Sequence, residues 1–334
     1  MNVGMWRKAL SVIPRLSKDE WDGLDIISRW LIATRSAVLV MTFISAAIAG
    51  IMAYRVGKFD FINWLLLTIG LLMAHATNNL LNDLTDYRRG VDQDNYFRAQ
   101  YGPQPLTHGF MTERQSWKYA LVTGLIALAA GAYFVFTMGS SALILLAAGS
   151  FFVLFYTYPL KYIGLGEIAV LLVWGPLMIG GGYFVITGEW SWNVVLAGLP
   201  YALGVTGVIF GKHIDKYDDD KARGIHTLPV LIGERNARLI LMGMTALQYL
   251  LVFYLVLIGF FTPVMLVVLL SYPILKIAWS AYRKPKPEEP PDNYDKSAWP
   301  LWFVGFAFLH NRRFGSWFLL GLLVDAFLRS RGIL

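Results

Sequence analysis

The chain is assembled from apolar blocks about as long as a bilayer is thick. Nine can be read, at roughly 30–54, 61–82, 116–138, 141–158, 166–187, 193–213, 238–259, 262–282 and 314–330. A transmembrane helix needs ~17–25 consecutive apolar residues. Backbone exposed to lipid must satisfy its own hydrogen bonds, so each block reads as a helix. The expected fold is therefore all-α, a polytopic integral membrane bundle of about nine transmembrane helices. Residues 1–29 form a cytoplasmic amphipathic segment and 30–334 a single membrane domain. The stretch 299–310 is apolar but short, an interfacial or re-entrant helix or else a tenth span.

Composition agrees. Of the residues, 56% are hydrophobic and 15% charged, against about 25% charged in a soluble domain. The net charge of +7 would suit nucleic acid in a soluble protein. Here Lys and Arg gather in loops, where they set orientation and meet anionic lipid heads, so a nucleic-acid partner is set aside. The absence of cysteine removes disulfides, thiolate metal sites and a thiol nucleophile. The N-terminus lacks the apolar core and small-residue cleavage site of a signal peptide.

Orientation follows from the basic residues. The connections near 139, 188–192 and 260 contain no Lys or Arg, whereas the N-terminal segment and the loops 83–115, 212–238 and 283–313 are rich in both. Those loops are expected to face the cytoplasm, in a plasma (cell inner) membrane. Arg55, Lys58, Arg329 and Arg331 run against the pattern.

Ten of the 22 acidic residues fall in two loops of equal parity, after the second and sixth spans. Asp83, Asp86, Asp92, Asp94 and Glu113 lie in 78–115, and Asp215, Asp218, Asp219, Asp220 and Glu234 in 211–238. Equal parity puts both on one side of the membrane, able to face each other across a cavity. In the first, Asn78, Asn82 and Asp86 are spaced i, i+4, i+8, a stripe at the end of an apolar helix. Asparagines inside a membrane span are costly and usually functional. Asp83, Asp86 and Asp92 are hard oxygen ligands, and Mg²⁺ takes one or two carboxylates with phosphate oxygens and water completing its shell. In the second, Asp215 and Asp219 are one helical turn apart, and Lys212, Lys216, Lys221 and Arg223 stand among them. Carboxylates for a metal mixed with cations for free phosphate oxygens point to a Mg²⁺–diphosphate ligand.

Further residues have two readings each. Arg98 and Lys118 flank the rigid turn GPQPLTHG and are candidate substrate contacts. Lys161, in YTYPLKY, is a candidate diphosphate ligand, while Tyr156 and Tyr158 shield a cation or belong to the interfacial aromatic belt. Glu167 is an acceptor-site base or a helix N-terminal carboxylate. His108, His213 and His226 read as structural. No zinc spacing and no Walker-A loop is present. The charged, proline-rich stretch 284–296 reads as a linker without chemistry.

From about residue 30 to 330 the chain resembles the UbiA superfamily of membrane prenyltransferases, and within it the 1,4-dihydroxy-2-naphthoate prenyltransferase (MenA) branch. The superfamily's Asn-Asp-x-x-Asp stands at Asn82, Asp83 and Asp86, and Gly90-Val91-Asp92 is the MenA-like continuation. GPQPLTHG, YPLKYIGLGE and GIHTLPVLIGERNAR are also MenA-like. The second motif departs from the branch. Asp215 and Asp219 have the expected mutual spacing, but Asp220 has the expected distance to Gly224, so either Asp219 or Asp220 is the implied ligand. Gly211-Lys212-His213 replaces the usual Asn-Asn-x-Arg.

The resemblance implies Mg²⁺-dependent transfer of a polyprenyl group from polyprenyl diphosphate to an aromatic acceptor. For 1,4-dihydroxy-2-naphthoate this comes with decarboxylation, a step of menaquinone biosynthesis. It implies catalytic roles for Asp83, Asp86, Lys161, Asp215 and Asp219, metal ligation by these aspartates with Asp92 and Asp220, and substrate contacts from Asn78, Asn82, Arg98, Lys118, Tyr156, Tyr158, Lys212, Lys216 and Arg223. The alternatives are another acceptor (4-hydroxybenzoate, homogentisate or a lipid glycerol phosphate) and, from different classes, a secondary transporter or a membrane scaffold. A transporter would place its ionisable groups near the midplane, where only Arg35, Lys276 and Asp325 come close.

Overall fold

The computed structural model describes residues 2–91, 104–292 and 294–332. Three short helices open the chain: α1 (Val3–Ser11), α2 (Lys18–Asp22) and α3 (Ile26–Ala33). Each has a side-chain cap from the sequence, Asn2, Ser17 and Asp25, whose oxygens accept a first-turn N–H. They bury Ala9, Trp21, Leu31 and Ile32 against Leu80 and Phe110, beside the polar end of the bundle.

The bundle follows. Its helices are α4 (Ser36–Arg55), α5 (Phe61–Arg88), α6 (Glu113–Met138), α7 (Ser140–Phe155), α8 (Gly166–Thr187) and α9 (Trp192–Asp215). After the short α10 (Tyr217–Ala222) and α11 (Leu228–Ile232) come α12 (Glu234–Leu257), α13 (Pro263–Tyr282) and α14 (Phe303–Ser330). Seven of them, α4, α5, α6, α8, α9, α12 and α13, are long and apolar enough to cross a membrane. α7 is apolar but shorter, with 16 residues. α14 differs from the sequence expectation. The stretch 299–310 and the block 314–330 are not separate, because one 28-residue helix runs through His310, Asn311, Arg312 and Arg313. The break read there came from polarity, and the helix absorbs it by burying His310 and Asn311 while exposing Arg312 and Arg313.

One irregular stretch shapes the interior. Pro176 has no N–H to donate, and α8 widens into a π-helical stretch over Val173–Gly180. Close packing is made by glycines: a Cβ on Gly315 would meet the Tyr201 ring at 2.8 Å, and one on Gly131 would run into the Leu146 side chain.

The two ends of the bundle differ in chemistry. At one end α4 meets α13 and α14 through a buried cluster. Arg55 pairs with the fully enclosed Asp325 at 3.2 Å, and Asp325 also accepts the N–H of Thr262 at 2.7 Å. Arg329 donates to the carbonyls of Gly259 and Phe260 at 2.9 and 3.1 Å. These partners account for two of the basic residues that run against the charge pattern. The other end gathers the last turns of α5 and α9, the first turns of α6, α8 and α14, and the loops between them.

Candidate active site

α5 continues unbroken to Arg88, so one helix delivers Asn78 through Asp86 to the polar end. Asp83 and Asp86 are both buried there, at 6% exposure. The Asp83 carboxylate receives the Arg35 guanidinium from the α3–α4 junction. Among the described residues, Arg35 is the sole non-glycine in the left-handed region, with φ +54°. That conformation costs about 1–3 kcal/mol and persists only where its surroundings enforce it. Asp86 accepts from Lys161 Nζ at 2.8 and 3.0 Å, across from the turn Leu160–Ile163.

The asparagines of the stripe are committed to protein partners. Asn78 donates to the Val153 carbonyl at 3.0 Å, Asn79 to that of Thr34 at 2.8 Å, and Asn82 to the Thr157 hydroxyl at 3.0 Å. Expected as substrate contacts, Asn78 and Asn82 use their amide N–H groups to brace α5 against α7 and the segment that follows it.

The second cluster departs from its sequence reading. α9 ends at Asp215, Lys216 leaves helical geometry at φ −103° and ψ 14°, and α10 starts at Tyr217. Asp215 and Asp219 therefore share no helical stripe. The Asp215 side chain is fully enclosed and turned to the start of α14, accepting the N–H groups of Phe303 and Val304 at 3.0 and 2.9 Å. A carboxylate suits a helix N-terminus, where orphan N–H groups converge. Asp218 and Asp219 are exposed, whereas Asp220 is buried beside Lys216 at 3.3 Å.

One residue joins that the sequence reading had left in a linker. Lys286, from the 284–302 connection, comes within 3.9 Å of Asp215. Burial draws its ammonium below the ordinary lysine value, and the carboxylates of Asp215 and Asp219 oppose that fall. Glu167 and His213, both buried, meet at 2.6 Å, which ties α8 to α9. Glu167 thus has a fixed partner from another helix, a contact with no signature in residue spacing.

Tyr156 feels the negative charges of Glu167, Asp86 and Asp220 together. Tyr158 is exposed under the Arg89 guanidinium, 3.6 Å from its ring centre. Burial and then the Asp86 carboxylate push the Tyr162 phenol up to about 12, against the pull of Arg89. Lys118 and Arg223 are exposed and Lys212 half-buried. Asp92, Asp94 and Arg98 lie outside the described residues.

Below this polar layer is a cavity of about 280 Å³ between α5, α6, α7 and α8. Its walls are apolar and rich in small residues, among them Gly70, Gly124, Gly149 and Gly181. Thr77 and Val153 line it too, so it reaches the level of Asn78, just under the acidic end of α5. An amphiphile with an anionic head and an isoprenoid-like tail matches this layering.

Among the described residues no three His, Asp or Glu side chains converge on one point. A divalent ion would be held by one or two carboxylates, with ligand oxygens and water for the rest. That is the habit of Mg²⁺, and the hard, buried oxygens of Asp83, Asp86 and Asp220 fit it.

The sequence profile of the UbiA prenyltransferase family matches residues 42–311. The chain belongs to the UbiA prenyltransferase family. It is thus an integral membrane prenyltransferase, and the transporter and scaffold readings give way to it. The matched span runs from α4 into α14 and takes in both acidic clusters. The 1,4-dihydroxy-2-naphthoate octaprenyltransferase of Bacillus subtilis (strain 168) is 26% identical over 245 residues, 72% of this chain and 77% of that one. The enzyme of the same description from Escherichia coli (strain K12) is 27% identical over 218 residues, 63% of this chain and 70% of its own. A solved UbiA homolog from Archaeoglobus fulgidus, bound to GPP and Mg²⁺, superposes with a TM-score of 0.58 at 16% identity, covering 89% of this chain and 99% of that one. At that identity the likeness concerns the fold alone.

Proposed function

We propose that this UbiA-family protein transfers a polyprenyl group from polyprenyl diphosphate to 1,4-dihydroxy-2-naphthoate with loss of CO₂, in a Mg²⁺-dependent reaction at the cytoplasmic face of the plasma membrane. One observation carries the reading: buried carboxylates of two distant sequence motifs lie at the same end of the bundle with Lys161, Lys216 and Lys286 beside them, and the first of them stands above an apolar cavity. The names of the Bacillus subtilis and Escherichia coli relatives support the acceptor, and the GPP and Mg²⁺ of the Archaeoglobus fulgidus homolog support the donor and metal. The loops rich in Lys and Arg support the orientation.

In this reading Asp83, Asp86 and either Asp219 or Asp220 hold the metal. Asp215 was expected to join them but serves the α14 N-terminus, so it acts by fixing α9 to α14. Bound Mg²⁺ supplies Lewis-acid neutralisation of the diphosphate oxygens. Lys161 and Lys216, now paired to carboxylates, take phosphate oxygens that the metal leaves free. The allylic carbon–oxygen bond breaks with its electron pair leaving on diphosphate. The ring carbon of the acceptor that bears the carboxylate forms the new carbon–carbon bond, and CO₂ departs, returning its bonding pair to the ring. The cavity walls hold the tail and keep water from the allylic cation. Tyr156, among the carboxylates, presents an aromatic face close to where that cation forms.

The test is direct. Purified protein in detergent, given Mg²⁺, a polyprenyl diphosphate and 1,4-dihydroxy-2-naphthoate, is expected to yield the prenylated, decarboxylated product by mass spectrometry, and none with EDTA. Diphosphate release only with 4-hydroxybenzoate, homogentisate or a glycerol phosphate lipid would keep the chemistry and replace the acceptor.

A further inference from the structure

Inside the bundle lies a polar contact that neither the acidic clusters nor the apolar cavity uses. His75 of α5 is buried, with 9% of its surface open, and its Nδ1 lies 2.7 Å from the Thr42 hydroxyl of α4. Hydroxyls within these helices donate to the carbonyl four residues back, as those of Ser45, Thr68 and Thr206 do. Among the described residues Thr42 makes no such bond, so its proton goes to Nδ1. That assigns the neutral imidazole's own proton to Nε2. Among the described residues this Nε2–H has no acceptor, and it is not sealed off.

The Trp174 indole meets the imidazole edge to face, with ring centres 5.3 Å apart. Trp174 stands on the π-helical stretch of α8, a backbone feature frequent at functional sites. Ile168 and Leu172 form the outer surface of α8 and Trp174 points the other way, so the part of the indole left open faces the interior. Its Nε1–H is enclosed without an acceptor among the described residues. Such a group costs stability, so packing alone does not explain an indole here. The chain neighbours Ala74 and Val173 line the apolar cavity, whereas His75 and Trp174 stand on the α4 side of the same two helices. His75 precedes Asp83 by eight residues, ~12 Å along α5 by the helical rise.

A diphosphate held at the tip of α5 stays above that level, and a hydrocarbon tail has no use for an N–H donor. We propose that His75 donates its Nε2–H to a ring oxygen of the aromatic acceptor, with the Trp174 indole as a wall of the same pocket. Thr42 is a positioning residue, because it holds the imidazole in the donating tautomer. The proposal rests on the aromatic acceptor of the function proposed above. It separates the two substrates: the tail lies on the cavity side of α5 and α8, and the acceptor ring on the α4 side.

Full-length variants in detergent test this by steady-state kinetics with the aromatic acceptor that the wild type uses. His75→Phe keeps a ring and removes the donor. It is expected to raise KM for the acceptor about tenfold, the loss of one hydrogen bond, and to leave KM for the prenyl diphosphate unchanged. His75→Gln carries an N–H close to the place of Nε2 and is expected to recover part of the loss. Thr42→Val is expected to raise acceptor KM in the same way, and Thr42→Ser to restore it. Trp174→Phe reads the pocket independently should the His75 variants fail to fold, with a rise in acceptor KM alone. Acceptor KM at the wild-type level in these variants, or KM rising equally for both substrates, would overturn the proposal and leave the function standing. Wild-type protein that prenylates no aromatic acceptor would overturn it together with that function.

Discussion

Lys161 Nζ stands 2.8 and 3.0 Å from the two oxygens of Asp86, with about a tenth of each side chain exposed. The pair joins the end of α5 to the turn ahead of α8. Removing one partner of such a pair leaves a buried charge uncompensated, at a cost of about 3–5 kcal/mol. Asp86→Asn and Lys161→Met are each expected to lower the melting temperature in detergent and to abolish product. The double variant is expected to regain much of the stability and none of the activity. Activity returning together with stability would show that the pair is structural only.

Asp219 and Asp220 are adjacent in sequence and opposite in setting, the first exposed and the second buried beside Lys216. Asp220→Asn is expected to lower stability, because it removes a buried counter-charge 3.3 Å from Lys216. Asp219→Asn is expected to leave the melting temperature near that of wild type, as substitutions at exposed positions do. If Asp219 is the metal ligand, its variant loses activity by about a hundredfold, since metal stabilisation of the leaving group is worth several kcal/mol. Activity at the wild-type level in Asp219→Asn, with a Mg²⁺ requirement that rises in Asp220→Asn, would assign the metal to Asp220.

How much of this was legible in the sequence depends on whether an interaction is local. The bilayer-length blocks and the parity of the two acidic loops are local patterns, and they forecast the helical bundle and the meeting of the loops at one end. α5 carrying Asp83 and Asp86 to its tip follows from the i, i+4 stripe. What the residue pattern did not show comes from partners far along the chain. Asp215 looked like the twin of Asp219 because the break at Lys216 leaves no mark in spacing, and its true partners are N–H groups 88 and 89 residues away. Arg35 was read as approaching the span interior, whereas it serves Asp83 from a left-handed junction that a single residue type does not announce. Lys286 was hidden by the polarity of its neighbours. His213 and Glu167 pair across 46 residues, which no residue pattern encodes.

The cavity under the acidic layer gives a prediction about chain length. A Cβ added at Gly149 has no heavy atom within 4 Å, and this glycine lines the cavity. Gly149→Phe therefore fills space without displacing backbone, and the helix-propensity gain over glycine, about 0.5 kcal/mol, favours folding. The variant is expected to keep turnover with a short prenyl diphosphate and to lose it with long ones. Competition between donors of different length, read by mass spectrometry of the products, measures this. An unchanged product distribution would place the tail elsewhere in the bundle.

Far from the site, Asp325 offers the contrasting case. It is fully enclosed and holds Arg55 at 3.2 Å, Arg329 at 3.7 Å and the N–H of Thr262 at 2.7 Å. An ionisable residue within a membrane helix is a functional suspect by default, but its three partners here close α4, α13 and α14 at the end opposite the acidic clusters. Asp325→Asn keeps an oxygen for Thr262 while leaving two guanidinium groups without a counter-charge. It is expected to cost about 3–5 kcal/mol of stability with KM for the prenyl diphosphate unchanged. Adding Arg55→Met removes one of the stranded charges and is expected to recover part of that loss. Thermal unfolding and kinetics on the same preparations separate the two quantities. A change in KM or in Mg²⁺ dependence without loss of stability would instead couple this cluster to the reaction across the full depth of the bundle.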